Sequence, residues 1–296
     1  MREILVTGGS GQVGGAVLAL APPSGFRFVA PGRDELDLLK PESFAAFLAS
    51  RPWAAIINAA AYTAVDRAET EVELAWRINA LAPTCLARAA ALAGAPLVHV
   101  STDYVFSGAS DRPYVEDDPV GPRSVYGASK AAGELGVGAS GGRAVIVRAS
   151  WVVSATRVNF LKTMLRLAAE RDVVRVVADQ YGAPTSAADL ASALATIACA
   201  LASDPAAPLG MFHFANAGVT TWADFATEIF RQSAVRGGPS ARVEAISTAD
   251  YPTPARRPVI SSLSTQRIQD LYGLSPRPWQ AAISDIMNEL IPARVP

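Results

Sequence analysis

Short apolar runs alternate along the chain with longer stretches that are rich in Ala and Leu. The short runs are apolar on both faces, which favours strands of a parallel sheet covered by helices. Strands are predicted at Ile4–Thr7, Phe26–Ala30, Ala55–Asn58, Leu97–Ser101, Ala144–Arg148, Val173–Val177, Met211–Ala215 and Arg242–Ile246. Helices are predicted at Gly11–Leu20, Pro41–Ser50, Glu71–Ala93, Tyr126–Gly136, Phe160–Arg171, Ala187–Leu201 and Trp222–Gln232.

This alternation of strand and helix is typical of a doubly wound α/β fold of the Rossmann type. After residue 250 the chain becomes Pro-rich and irregular, which suggests a smaller layer over the end of the sheet. We therefore expect a dinucleotide-binding domain from 1–150 and 184–216. A smaller, discontinuous C-terminal substrate domain is expected from 151–183 and 217–296.

Composition and charge narrow the classes of function. Half of the 296 residues are hydrophobic, and 26 basic side chains face 27 acidic ones for a net charge of −1. A chain without basic excess is not expected to bind nucleic acid or an anionic membrane surface. The long uncharged stretch 4–26 is interrupted by glycines and prolines, so it is neither a spanning helix nor a signal-peptide core. Two cysteines cannot form a disulfide scaffold, and a cytoplasmic location is expected.

The first strand leads into a glycine-rich loop, Thr7-Gly8-Gly9-Ser10-Gly11-Gln12-Val13-Gly14. Glycines permit the tight turn, the approach of the backbone to a pyrophosphate and close packing of helix on strand. The following helix would direct its free N–H groups at the phosphates. Strand before and helix after are the context that this motif requires, so a dinucleotide site is predicted at Gly8, Gly11, Gln12, Val13 and Gly14.

The end of the second strand bears on which dinucleotide is bound. An acid there would bind the adenosine ribose, whereas an arginine accommodates a 2′-phosphate. This strand has no acid at its end and is followed by Arg33, which predicts NADPH and leaves NADH as an alternative. Arg33 could also be a solvated loop residue neutralised by Asp34. Asp37 and Leu38 are predicted to lie at the adenine, with a merely helix-flanking role as the alternative.

Small residues follow the third strand at Asn58-Ala59-Ala60, before Ala61, Tyr62 and Thr63. They leave room for a cofactor at the carboxyl edge of the sheet, although alanines would also serve tight packing of helix on strand.

Tyr126 and Lys130 are four residues apart, so they share one face of a helix. A lysine charge near a phenol lowers the pKa of the phenol, which makes it a usable proton donor and acceptor. Thr102, at the end of the fourth strand, can hydrogen-bond the same carbonyl oxygen. Thr102, Tyr126 and Lys130 are therefore the predicted catalytic residues, with Tyr126 and Lys130 also at the cofactor.

With these motifs in this order, the chain resembles the extended branch of the short-chain dehydrogenase/reductase superfamily, and within it the dTDP-4-dehydrorhamnose reductase family. The most specific segments are Asp179–Thr185 and Tyr251–Pro258. The resemblance implies that Gly11, Gln12 and Val13 lie under the pyrophosphate and that Ala61, Tyr62 and Thr63 line the cofactor. It also implies that Thr102 and Asp103 meet the sugar, that Tyr126 donates the proton with support from Lys130, and that Trp151 walls the substrate pocket.

Other polar residues are weaker candidates. Asn159, Gln180 and Arg257 are predicted to bind the diphosphate or base of the substrate, Arg257 because a guanidinium binds phosphate in a bidentate fork. A buried core position is the alternative for Trp151. His99 and His213 lie in apolar strand runs and are expected in the core, and no cluster at ligand spacing predicts a metal.

The family resemblance implies NADPH-dependent reduction of the C4 ketone of dTDP-4-dehydro-L-rhamnose, a small nucleotide-sugar substrate. In related dehydratases an acid follows the strand-end Thr-Asp, whereas Tyr104 stands here, so elimination lacks its base. A ketoreductase or 4-epimerase acting on another dTDP-deoxysugar remains open. So does a non-catalytic regulatory subunit of the same fold, and a homodimer is left open as well.

Overall fold

Six of the predicted strands form one parallel sheet in the computed structural model, which describes residues 1–292. The strands of the structure are β1 (Arg2–Thr7), β2 (Phe26–Val29), β3 (Ala55–Asn58), β4 (Leu97–Thr102), β5 (Ala144–Ala149), β6 (Val152–Val153), β7 (Val173–Val177), β8 (Tyr181–Gly182), β9 (Thr185–Ser186), β10 (Gly210–Phe214), β11 (Thr220–Thr221) and β12 (Arg242–Ile246). The central sheet has the order β10-β5-β4-β3-β1-β2. Its strands are buried because apolar side chains point to both faces and helices cover each of them. The predicted doubly wound Rossmann-type fold is confirmed.

Helices connect the strands. They are α1 (Gln12–Ala19), α2 (Phe44–Ala49), α3 (Val65–Ala68), α4 (Val72–Trp76), α5 (Ala82–Leu92), α6 (Val125–Gly138), α7 (Phe160–Glu170), α8 (Ala187–Ser203), α9 (Trp222–Val235), α10 (Gln266–Tyr272) and α11 (Trp279–Leu290). Side-chain caps fix where the longer ones begin, because a cap oxygen accepts an otherwise unpaired N–H of the first turn. Such N-caps are Ser124 on α6, Asn159 on α7, Ser186 on α8 and Thr221 on α9.

The strand order reverses between β1 and β3. From β1 the chain first adds β2 on one side, and it then crosses to the other side of β1 to add β3 and β4. Loops after strands on either side of such a switch point separate and leave a crevice at the carboxyl edge of the sheet. The glycine loop follows β1 and the segment 59–63 follows β3, so both predicted cofactor segments border this crevice.

Two of the predicted strands lie outside the central sheet. Val173–Val177 (β7) and Arg242–Ile246 (β12) pair in parallel with each other. They cover a second apolar core together with α7, α9 and α11. We call these five elements the outer lobe.

The division into two domains stays a prediction, and residues 293–296 of the predicted substrate domain lie outside the described residues. One element does not follow the predicted division. Ile268 of α10 packs into the core of the central sheet, although its segment was predicted to belong to the substrate domain.

The predicted helix Glu71–Ala93 is interrupted by a π-helical segment, Arg77–Leu81, just before Pro83. Pro83 has no N–H, so the Asn79 carbonyl lacks the partner that a regular helix would supply. A Cβ on Gly133 of α6 would lie 2.1 Å from that carbonyl oxygen, so α6 packs directly against the irregular turn. The interruption therefore brings α6 close to the helix before it.

The glycine loop depends on backbone contact with the segment after β3, which predicts a large cost for Gly8→Ala. Gly8 has φ +74°, and a Cβ there would lie 2.8 Å from the Ala60 Cα. Gly25 has φ +87° with open space around it. Gly25→Ala should lose about 1–2 kcal/mol of unfolding free energy from the backbone conformation alone. Gly8→Ala should lose at least about 3 kcal/mol, because overlap adds to that cost.

Urea unfolding of the two variants measures the difference. Equal losses of unfolding free energy in Gly8→Ala and Gly25→Ala would show that the glycine loop does not contact the segment after β3 as described.

Candidate active site

The crevice after β1 has the features of a phosphate site. Gly11, the N-cap of α1, offers no side-chain cap, and its own N–H donates to the Gly8 carbonyl at 2.8 Å. A Cβ on Gly14 would lie 2.3 Å from the Gly8 oxygen, so the loop closes tightly on the helix. The glycines therefore let the loop close on α1, whose first-turn N–H groups have no side-chain cap and are available to a bound pyrophosphate. The residues present fit a dinucleotide.

The segment after β3 is held by a side chain that sequence reasoning missed. Asn79, buried in the π-helical segment, accepts the Tyr62 N–H at 2.8 Å and donates to the Tyr62 carbonyl at 3.0 Å. Its amide also donates to the Ser129 hydroxyl at 3.1 Å. Asn79 thus fixes Ala61, Tyr62 and Thr63 relative to α6. The sequence offered one signal, an asparagine within a helix four residues before a proline.

The residues after β2 lie at the other end of the crevice. Arg33 is exposed, and no carboxylate within residues 1–292 forms an ion pair with it, so Asp34 does not neutralise it. The Asp37 carboxylate accepts the Leu39 N–H at 3.0 Å, and Leu38 packs against the sheet core. Contacts of Arg33, Asp37 and Leu38 with a cofactor stay predictions.

Tyr126 lies in the first turn of α6 and is 8% exposed. The Thr102 side chain, at the end of β4, lies beside the Tyr126 phenol, and its hydroxyl donates to the Asp103 carboxylate at 2.8 Å. The Tyr104 ring packs edge-on against the Tyr126 ring with centroids 5.5 Å apart. The structure therefore brings together the strand-end Thr-Asp and the helix tyrosine, as predicted from their order in the sequence.

The predicted acidification of Tyr126 is wrong for this structure. Burial raises the pKa of the Tyr126 phenol, and the Asp103 carboxylate raises it further. The neighbouring Thr102 hydroxyl lowers the pKa of the phenol, but by less than burial raises it. Sequence spacing gave the shared helix face but not the loss of water around the phenol, which dominates here.

Lys130 is 2% exposed and lies on the same helix. Its ammonium donates to the Val100 carbonyl at 2.7 Å, and Nζ lies 3.5 Å from His99 Nε2. Burial lowers the pKa of Lys130 to about 8, although the nearby Glu134 carboxylate opposes the shift. The amine can therefore gain or lose a proton near neutral pH.

A row of buried polar side chains leads to this lysine. Thr7 donates to the Asn58 amide oxygen at 2.6 Å, and the Asn58 amide nitrogen donates to His99 Nδ1 at 3.0 Å. The three residues are opposite one another in the register of β1, β3 and β4. Burial lowers the pKa of His99, so its ring is neutral. His99 lies in the core, as predicted, but it contacts Lys130, which was not foreseen.

Asp103 is buried and adjoins the same site. Its Oδ2 atom has no hydrogen-bond partner within the described residues. Burial raises the pKa of the carboxyl to about 7, and the Thr102 hydrogen bond opposes that rise. A buried polar atom without a partner is costly and points to a ligand that supplies one.

Trp151 lies where the chain leaves β5 for the outer lobe. It has φ +46°, and its ring stacks on the Trp222 ring with centroids 3.5 Å apart and planes 9° apart. A Cβ on Gly182 would lie 2.5 Å from the Trp151 ring. The indole is only partly buried, so its position between two lobes differs from that of an ordinary core tryptophan. Sequence reasoning did not identify Trp222.

Two polar residues predicted to bind substrate are occupied by protein groups. Asn159 caps α7, and its amide donates to the Gln12 side-chain oxygen at 2.9 Å. Gln180 is buried and donates to the Thr248 hydroxyl at 3.0 Å. Both residues tie segments of the chain together, and their predicted contacts with the diphosphate or base of the substrate stay predictions.

Arg257 is close to the site but is paired. Its guanidinium donates to the Asp66 carboxylate at 2.8 Å and to the Tyr104 hydroxyl at 3.3 Å. The predicted phosphate-binding arginine is therefore neutralised by Asp66, and it fastens the Pro-rich C-terminal segment beside Tyr104.

Within residues 1–292, no group of three His, Cys, Asp or Glu side chains could hold a metal ion. Across the same residues, no helix combines the length and apolar character needed to cross a membrane. The cytoplasmic location and the homodimer stay predictions.

Known proteins resemble the chain over nearly its whole length. The family model described as the RmlD substrate binding domain matches residues 1–291. A dTDP-4-dehydrorhamnose reductase of Sinorhizobium fredii strain NGR234 is 42% identical over 290 residues, covering 98% of each chain. That of Escherichia coli K12 is 41% identical over 294 residues, covering 97% of this chain and 98% of the relative.

Solved structures agree. A dTDP-4-dehydrorhamnose reductase of Bacillus anthracis, crystallised in complex with NADP, superposes with a TM-score of 0.90 at 33% identity, covering 98% of this chain and 100% of that one. That of Clostridium acetobutylicum superposes with a TM-score of 0.90 at 34% identity, covering 98% and 99%. The chain belongs to the RmlD substrate binding domain family, the family of these reductases.

Proposed function

We propose that the protein is an NADPH-dependent oxidoreductase that reduces the C4 ketone of dTDP-4-dehydro-L-rhamnose to give dTDP-L-rhamnose. The observation that carries the proposal is the close grouping of buried Thr102 and Tyr126, one helical turn from Lys130. Relatives about 40% identical over nearly the whole chain carry the name of this activity. A structural relative with NADP bound supports the choice of cofactor.

Reduction of a ketone needs a hydride for the carbon and a proton for the oxygen. NADPH, when bound, supplies the hydride. Because burial keeps the Tyr126 phenol protonated, it is ready to give its proton to the oxygen as negative charge develops there. On substrate binding the Thr102 hydroxyl would turn from the Asp103 carboxylate to donate a second hydrogen bond to the same oxygen. With a pKa of about 8, Lys130 can return a proton to Tyr126 between turnovers.

The substrate would lie between the central sheet and the outer lobe. Trp151 would form one wall, and the free Asp103 oxygen would accept or donate a hydrogen bond at a sugar hydroxyl. The exposed Arg33 would pair with the 2′-phosphate of NADPH.

The proposal is tested by supplying the purified protein with dTDP-4-dehydro-L-rhamnose and NADPH. Loss of the reduced-nicotinamide absorbance, with dTDP-L-rhamnose as product, is the expected result. A different dTDP-ketosugar consumed faster would shift the proposal to another ketoreductase. Tightly bound NAD with no net NADPH consumption would favour a 4-epimerase. No turnover together with copurification of an unrelated synthetase would favour a regulatory subunit.

Tyr126→Phe should reduce kcat by at least about 100-fold, because a proton donor contributes a factor of this order. NADPH affinity should stay close to that of the wild type. Tyr104→Phe tests the neighbouring phenol as a rival donor, and Tyr272→Phe is the control for loss of a remote hydroxyl. Steady-state kinetics of the three variants measure the loss of kcat in each. A greater loss in Tyr104→Phe than in Tyr126→Phe would contradict the assignment.

Asp103→Asn should stabilise the protein above pH 7 while lowering its activity. The folded-state pKa of about 7 lies above that of a free aspartate, so folding takes up a proton between about pH 4 and pH 7. Stability is therefore lost as the pH rises through that window, by up to about 4 kcal/mol. The asparagine variant lacks this loss, so its advantage over the wild type should grow with pH.

Urea unfolding at pH 4.5 and pH 8 measures that difference. Asp111→Asn, at an exposed position, controls for removal of one negative charge. A stability difference that stays the same at both pH values would show that the Asp103 carboxyl is not buried.

A further inference from the structure

Backbone strain is concentrated in the segment that leaves the central sheet. Within residues 1–292, the non-glycine residues with positive φ are Trp151 at 46° and Arg157 at 60°. Such strain costs of the order of a few RT and persists where the surrounding structure or a ligand requires it. The proposed function uses Trp151 as a pocket wall, but it gives no role to Arg157.

Arg157 belongs to a loop that lies against the glycine loop. We call residues 154–159 the crossing loop. Arg157 Nε donates to the Ser10 carbonyl at 2.6 Å, and Ser154 donates to the Gln12 side-chain oxygen at 2.7 Å. Asn159 donates to the same Gln12 oxygen at 2.9 Å. The crossing loop thus holds the guanidinium beside the first turn of α1.

The charge of Arg157 has no counterpart there. No carboxylate within the described residues forms an ion pair with it, and the first turn of α1 contains no acidic residue. The start of a helix carries partial positive charge, so a cation beside it is unfavourable unless an anion binds between them. Only Nε is occupied by a protein group, which leaves the two Nη atoms free to donate. A guanidinium fork matches the oxygens of a phosphate.

We propose that Arg157 binds the diphosphate of the dinucleotide held on the glycine loop, so that one of its ligands comes from the crossing loop and not from the Rossmann fold. This inference rests on the proposed function, since it takes the dinucleotide to be NADPH. The crossing loop continues into α7 of the outer lobe. Cofactor binding therefore also fastens the outer lobe to the sheet.

Arg157→Asn tests the proposal, because asparagine tolerates left-handed backbone and removes the charge without adding strain. The dissociation constant for NADPH, from fluorescence titration, should rise by about 10-fold or more. The difference from the wild type should shrink as salt increases. Arg171→Asn, at the opposite end of α7 and about 16 Å along it, is the matched control and should bind NADPH as the wild type does.

Two further ligands distinguish which phosphate Arg157 serves. Adenosine 2′-monophosphate carries only the 2′-phosphate, so Arg157→Asn should bind it normally while Arg33→Ala binds it more weakly. Thymidine diphosphate, which stands for the substrate, should bind equally to Arg157→Asn and to the wild type. Weaker binding of thymidine diphosphate with unchanged NADPH affinity would assign Arg157 to the substrate and overturn the proposal.

Stability separates binding from a structural role. Arg157→Gly relieves the backbone strain, so it should unfold at the same or a higher urea concentration than the wild type while still binding NADPH more weakly. Unchanged NADPH affinity in Arg157→Asn and Arg157→Gly would overturn the inference and leave the proposed function intact. A wild-type protein that binds no NADPH would overturn both. Normal NADPH binding without reductase turnover would overturn the proposed substrate alone.

Discussion

The site depends on a row of hydrogen bonds buried across the sheet, from Thr7 through Asn58 to His99 and on to Lys130. The row exists because β1, β3 and β4 place these residues opposite one another. Thr7, Asn58 and His99 each satisfy the next, so these polar groups can lie in the core at little cost in unpaired donors and acceptors. The row ties the strand before the glycine loop to Lys130. A shift of register in β3 would break it at both neighbours.

Burial affects the two groups on α6 in the directions that ketone reduction needs. Loss of water raises the pKa of the Tyr126 phenol and lowers the pKa of Lys130, because it disfavours the charged form of each. The phenol therefore keeps its proton, which in the proposed reaction it would donate and the amine would replace. Tyrosine and lysine need not be matched by direct attraction between their charges. Their shared burial against β4, with Thr102 at the phenol, is enough to give them the different proton affinities that the proposed roles of donor and supplier require.

Much of the fold and part of the site could be predicted from the sequence, because local patterns determine them. Apolar runs predicted the strands of the central sheet, the glycine loop was placed after the first strand, and the spacing of Tyr126 and Lys130 placed both on one face of a helix. Contacts between distant segments carry no such pattern. The pairing of Arg257 with Asp66, the contact of Asn159 with Gln12 and the contact of Gln180 with Thr248 join residues far apart in sequence. The direction of the Tyr126 pKa was missed for the same reason, because burial depends on everything packed around the ring.

The segment that connects the central sheet to the outer lobe is held more firmly at one end than at the other. On the side of the proposed substrate pocket, Trp151 is strained but stacks on Trp222, and an aromatic stack of this kind contributes about 0.5–1.5 kcal/mol beyond the area that it buries. On the cofactor side, Arg157 is strained at an exposed position, where water competes with its hydrogen bond to Ser10. The two strained residues lie in one short segment, so the segment is anchored firmly at its first residue and weakly near its end. An anion bound beside α1 would give Arg157, at the weakly held end, the charged partner that it lacks. Order in the crossing loop and occupancy of the glycine loop are therefore expected to rise together, which would complete the crevice only once the cofactor is in place.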